Sequence, residues 1–316
     1  MPYSYMYKPI LCILILFLSS GLASCAQASI NGAQAQSSET STEKRNPGTL
    51  LLPEWSDTDI RKSPDGSIVL NLSHSEDGYI LTKYDGSSDL IQARITNPDG
   101  SIYPYPLTIG TEICLPLTGG AGNYDFSLLE HAYDSLYAVG LSEAFTLSQD
   151  PGNQPWLYPN QYVNYHKDSK AVALGKQLSD ASTDDLSYIE NVFQYVTTNI
   201  TYDVEFAENV SVNYIPDPDR TLKKKAGICF DYASLMTAML RSQGIPTKLN
   251  VGYAGTAYHA WISCWLKETG WVENIIYFDG KEWTLMDPTL AASETDKRKL
   301  KKFIGDGDNY IVQYAY

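Results

Sequence analysis

Between positions 228 and 243 apolar side chains recur at helical spacing, with Leu235, Met236, Met239 and Leu240 on one stripe and Gly244-Ile245-Pro246 closing the run. The pattern predicts a helix there, entered through a tight turn at Gly227. Further on the period changes to two. His259, Trp261, Ser263 and Trp265 alternate with Ala260, Ile262, Cys264 and Leu266, which predicts a strand over 259–266 whose second, wholly apolar face is core. A second strand is predicted over 282–287, ended by Pro288, and a short one over 275–278 before the Asp279-Gly280 turn. Upstream, alternating runs at 67–72, 78–84, 90–96, 124–130, 135–141 and 144–148 are separated by Asp-Gly, Asn-Pro and Gly-Gly turns. That spacing predicts an antiparallel, all-β sandwich-like domain.

The start of the chain has a different texture. Lys8 precedes an apolar stretch over 9–18, short for a membrane span, and Leu22-Ala23-Ser24-Cys25 follows a Ser-Ser-Gly break. This layout predicts a secretory signal over 1–24, and Leu-Ala-Ser-Cys resembles the bacterial lipobox, in which the cysteine, here Cys25, carries the lipid. AQASINGAQAQSSETSTEKRNPG, 26–48, has no apolar period and is read as a flexible tether. The expected organisation is signal 1–24, lipidated Cys25 and tether 25–52, sandwich 53–150, and a helix-bearing domain 155–316. The expected location is the extracytoplasmic face of the cell membrane.

Candidate chemistry concentrates in three strings, AGICFDYASLM, YHAWISCW and WTLMDP. A cysteine attacks as thiolate, which an adjacent imidazole or a helix N-terminus stabilises. Cys229 sits in the first turn of the predicted helix, where peptide N–H groups and the positive dipole end meet the sulfur. Asp231 projects about 200° away around the helix, clear of the thiolate. Ala233, one turn on, lets a strand pack close. Were the strand ending at Asp287 to pair antiparallel with the strand beginning at His259, Asp287 would orient the imidazole toward sulfur. That pairing requires 267–274 to be an excursion.

These residues carry a resemblance. GICFDYASLMTAMLRSQGIPTKLNVGY, then YHAW, then FDGKEWTLMDPT, preceded by NVFQYVTTNITYD, resemble the transglutaminase-like superfamily, a branch of the papain-like thiol enzymes, over roughly residues 160–295. The resemblance implies an α+β fold in which a cysteine-bearing helix packs on an antiparallel sheet. It implies Cys229 as nucleophile, His259 as base and Asp287 as orienter. The implied reaction is acyl transfer from a protein or peptide amide to an amine or to water; the other class is an inactive scaffold acting as a cell-surface binding protein. Candidates for the second oxyanion donor, beside the N–H of Cys229, are Tyr202, Asn213 and Tyr214. Trp261 and Trp283 are candidates for a substrate groove.

Composition narrows the rest. A formal net charge of −14 argues against nucleic-acid binding. Apart from Cys12 in the signal and Cys25, the cysteines are Cys114, Cys229 and Cys264, an odd set in which the nucleophile must stay reduced. No Cys/His cluster has zinc spacing, no Gly-rich phosphate loop occurs, and 305–309 is too short for a calcium loop. No metal or cofactor is expected.

Overall fold

Inward-facing alternation builds the first half of the fold. A computed structural model of the chain describes residues 44–134, 136–211, 213–254, 256–272, 276–278, 283–285 and 310–316. Strands β1 (Ile60–Lys62), β2 (Ile68–Asn71), β3 (Tyr79–Tyr84) and β6 (Glu112–Pro116) form one antiparallel sheet. β4 (Ile91–Thr96), β5 (Ile102–Pro106), β7 (Gly122–Tyr133) and β8 (Leu136–Leu147) form the other, in the order β5-β4-β7-β8. Ile68 and Leu70, Ile91, Ala93 and Ile95, and Tyr124, Phe126 and Leu128 occupy alternate positions and are buried together, so the period-2 reading and the sandwich hold.

Strands β1, β5, β6 and β8 differ from the sequence reading, β1 being a short edge strand that it did not foresee. β5, with sequence IYPYP, carries two prolines, which argue against an interior strand; it lies at the edge of its sheet, where proline is tolerated. β6 was not foreseen either. The runs at 135–141 and 144–148 are one strand, β8, because its ladder with β7 absorbs a register shift between Leu128 and Leu129 and continues past it.

The second half is helical first and then β. α1 (Lys170–Asp180) leads to α2 (Asp185–Asn199), where Asp184 accepts from the Ser187 N–H at 2.7 Å and the Asp184 N–H donates to the Ser187 hydroxyl at 3.1 Å, a reciprocal cap. β9 (Thr201–Tyr202), α3 (Val204–Asn209), α4 (Pro218–Lys224) and β10 (Ala226–Gly227) carry the chain to α5 (Cys229–Ser242). Every residue from Asp231 to Ser242 is buried, which makes α5 the central helix. It packs on β11 (Thr247–Ala254) and β12 (Ala257–Leu266), flanked by β13 (Gly270–Val272) and by β16 (Tyr310–Ala315) in the order β13-β12-β11-β16. Ala260, Ile262, Cys264 and Leu266 belong to the same core as α5, as their alternation predicts.

One predicted pairing is corrected. Among the described residues β15 (Trp283–Leu285) pairs antiparallel with β14 (Ile276–Phe278), not with β12, whose described partners are β11 and β13. The two strands form a two-stranded antiparallel pair, and the expected Asp279-Gly280 turn lies outside the described residues. The run YIVQYAY, unread in the sequence, supplies β16.

The core is contiguous from the sandwich to α5. Tyr316 packs edge-on against Tyr105 of β5 at 5.4 Å between centroids and lies 4.4 Å from the Tyr162 ring, so aromatic rings bridge the two architectures. The expected tether also ends early. Arg45 is buried, its guanidinium donating to Asp185, to the Ser179 hydroxyl and to the Gln243 carbonyl, and it stands 4.6 Å over the Tyr188 ring. Beside it Gly48 meets Gly244 backbone to backbone: a Cβ on Gly48 would come within 2.7 Å of the Gly244 Cα, and Gly244 itself has φ +83°. Neither position has room for a side chain.

Candidate active site

The turn into α5 sets the position of Cys229. β9 and β10 pair in parallel with Tyr202 opposite Gly227, and the Asp203 N–H donates to the Gly227 carbonyl at 2.9 Å. Gly227 is required there, since a Cβ would lie 2.6 Å from that of Asp231. Asp231 accepts from the Ile228 N–H at 2.9 Å, from the Tyr214 hydroxyl at 2.5 Å and from the Thr221 hydroxyl at 3.5 Å. The carboxylate therefore holds the N-cap residue from behind the helix, as its angular offset from Cys229 anticipates. Cys229 is the first helical residue and half-buried, in the turn whose N–H groups have no carbonyl of their own helix to bond.

Burial pushes the Asp231 carboxyl above the usual carboxylate range, although its hydrogen bonds pull the other way. Between the ordinary and the raised value the folded chain binds more proton than the unfolded one, so this group makes stability fall as pH rises through that window. Asp231→Asn is expected to remove that slope, at some loss in the cap, when thermal midpoints are compared across the carboxylate titration range.

His259 is half-buried on β12, opposite Gly252 of β11. Cys229 and His259 line one cavity of about 510 Å³, together with Tyr202, Asn213 and Tyr214. The structure thus gathers five of the sequence candidates. Their roles separate. The Tyr214 hydroxyl is committed to Asp231 and accepts from the Arg220 guanidinium at 2.7 Å, which removes it as an oxyanion donor; Tyr202 and Asn213 remain at the cavity wall. Asp287 lies outside the described residues, as does Cys25.

The groove tryptophans are not both where a groove needs them. Trp261 is 1% exposed, packed edge-on against Tyr310 at 5.0 Å, and not on the cavity wall. Strand parity brought it to a second buried face instead. Trp283 falls in β15, and its side chain lies outside what the structure describes. Lys223, Lys224 and Lys225 are exposed at the end of α4, where cations suit the helix dipole.

Sequence reasoning missed a whole wall. Gln92, Pro104 and Pro106 of the sandwich and Tyr314 and Tyr316 at the C-terminal strand also line the cavity. The Tyr310, Val312, Tyr314, Tyr316 alternation was a readable strand signal; the contribution of β5 was not, because it depends on how the sandwich packs.

None of the three described cysteines is in a disulfide. Burial pushes the Cys264 thiol up to about 12 and the Cys114 thiol higher still, which leaves both protonated and inert at neutral pH. Among the described residues no cluster of His, Cys, Asp or Glu has the form of a metal site.

The family model of the transglutaminase-like superfamily matches residues 172–288, a span that begins in α1 and includes Cys229, His259 and Asp287. Residues 172–288 are thus a transglutaminase-like domain within the chain. UPF0252 protein MJ1282 of Methanocaldococcus jannaschii is 32% identical over 96 residues, which is 27% of this chain and 27% of that relative's length. Among solved structures, a candidate cysteine protease of Cytophaga hutchinsonii is 15% identical over 67% of this chain and 71% of its own, with a TM-score of 0.32. Red sea bream transglutaminase is 14% identical over 67% of this chain and 48% of its own, with a TM-score of 0.26.

Proposed function

We propose that the protein is a thiol-dependent acyltransferase acting on protein or peptide amides. The observation that carries the reading is the meeting of Cys229, at the first position of α5, with His259 on the wall of one cavity. In this scheme the Cys229 thiolate attacks the amide carbonyl and forms a tetrahedral oxyanion, which the N–H groups of the first turn of α5 stabilise. The imidazolium of His259 protonates the leaving nitrogen, and a thioester on Cys229 remains. Water or a primary amine then attacks the thioester, giving up a proton to His259 and releasing the thiolate. Asp287, within the span that matches the family model, orients the imidazole in this scheme by resemblance to the family and not by the strand pairing expected from the sequence. The deciding experiment incubates the protein with casein, with and without a labelled primary amine. Amine incorporation identifies cross-linking chemistry and new chain ends identify hydrolysis; with neither, the acyltransferase reading fails in favour of a binding scaffold.

We also propose that Cys25 carries a lipid and holds the enzyme at the extracytoplasmic face of the membrane. The Leu22-Ala23-Ser24-Cys25 string supports this. Among the described residues no helix is long and apolar enough to cross a bilayer. The mature protein is expected in the membrane fraction, and Cys25→Ser should release it or block its processing. A mature wild-type chain that mass spectrometry finds unlipidated would contradict the proposal.

A further inference from the structure

The wall that the sandwich contributes to the Cys229 cavity has a chemistry of its own. Gln92 of β4 stands opposite Pro106 of β5, and with Pro104 these residues face the cavity that holds Cys229. β5 is the edge of its sheet. Its prolines donate no N–H, and the Pro104 carbonyl accepts from the hydroxyls of Tyr162 and Tyr316, each at 3.4 Å. The edge is therefore unsuited to adding a substrate strand by backbone pairing and offers rings instead. Tyr162, Tyr314 and Tyr316 continue the wall. Burial raises the phenols of Tyr162 and Tyr316 above the tyrosine range, so they stay neutral. Charged residues make up 19% of the chain, yet none of the described residues lining this cavity is Asp, Glu, Lys or Arg.

We infer that the β4–β5 edge of the sandwich selects the substrate: it forms a neutral, ring-lined subsite beside Cys229 that takes an uncharged aromatic or aliphatic side chain next to the amide under attack. A carboxylate or ammonium entering this wall loses water and meets no charged lining side chain, Arg94 lying outside the lining with its guanidinium bonded to Gln92 at 2.8 Å, and such desolvation is costly. An aromatic ring loses only unfavourable hydration and gains stacking on tyrosine and proline. The inference rests on the acyltransferase reading for the attack, and on the cavity alone for the selection.

The test separates the two. Binding of capped peptides Gln-Phe, Gln-Glu and Gln-Lys to the full chain carrying Cys229→Ala is measured by calorimetry, so that no turnover is needed. The Phe peptide is expected to bind at least tenfold more tightly than either charged one. Pro106→Lys, at a half-buried edge position where no ladder N–H is lost, and separately Gln92→Lys, should each raise affinity for the Glu peptide and lower it for the Lys peptide, with the thermal midpoint confirming that the variants fold. A merely structural role for this edge would not invert charge preference. Equal affinities for the three peptides, no measurable binding of the Phe peptide, or unchanged preference in both folded lysine variants would overturn the inference. Wild-type turnover is read separately: discrimination without turnover would discard the acyltransferase reading and leave the subsite.

Discussion

Cys229→Ala is expected to remove both amide cleavage and amine incorporation, a loss of at least about a thousandfold in kcat/KM, because in the proposed scheme the thioester forms on its sulfur. The substitution removes one sulfur from a half-buried position and should leave the thermal midpoint nearly unchanged. Neither of the other described thiols can substitute. Cys264, with its thiol pushed up to about 12, is fully enclosed in the core on β12, and Cys114 is buried in the sandwich. His259→Ala should lower the rate at least as much as Asp287→Ala, since in the proposed scheme the imidazole is the sulfur's partner and the carboxylate acts only through it. Retention of more than a small fraction of wild-type activity by Cys229→Ala would move the chemistry to another residue.

The second large effect concerns folding. Arg241 is completely buried near the end of α5, and its guanidinium donates to the carbonyls of Thr247, Tyr158 and Tyr316 at 2.8, 2.7 and 2.6 Å. Burial draws its pKa down to about 10, so it remains charged at neutral pH. One side chain thus ties the start of β11, the segment after the sandwich and the end of β16 to the central helix. Arg241→Met keeps the volume but strands three buried carbonyls, each worth about 1–3 kcal/mol, while relieving a desolvated charge. The expected net loss is about 3 kcal/mol or more, a fall in midpoint of roughly 6–12 °C for a chain of this size. Because Tyr314 and Tyr316 line the cavity, substrate affinity should fall as well. A midpoint shift within about 1 °C would show that the three hydrogen bonds contribute little net stability.

What the sequence disclosed follows the range of the forces involved. Helix α5 was legible to within a residue because its stripe, its Gly227 turn and its Gly244-Ile245-Pro246 stop are local signals. The apolar face of β12 was legible for the same reason. The partner of β15 was not, since pairing choice depends on which strand is nearest in space, and the strand formed beside it is its neighbour in sequence, β14. Trp261 misled because both faces of β12 are buried, so alternation alone could not tell a groove from a second core. Tyr214 lines the cavity, but its bond to Asp231, which takes it away from the expected oxyanion role, joins residues that no pattern rule connects. Arg45 was hidden in a polar stretch whose composition reads as solvated, and only its partners on α1, α2 and Gln243 show why it is buried.

The central claim is that Cys229 is an activated thiol paired with His259. Its most direct measurement is the rate of iodoacetamide alkylation at pH 6, followed by peptide mapping, in the wild-type chain and in His259→Ala. An activated thiolate has a pKa below the reference of about 8.5, so the account predicts rapid modification confined to Cys229, with Cys114 and Cys264 untouched, and a marked slowing in His259→Ala. Slow labelling of Cys229 in the folded wild-type chain, unchanged by His259→Ala, would contradict it.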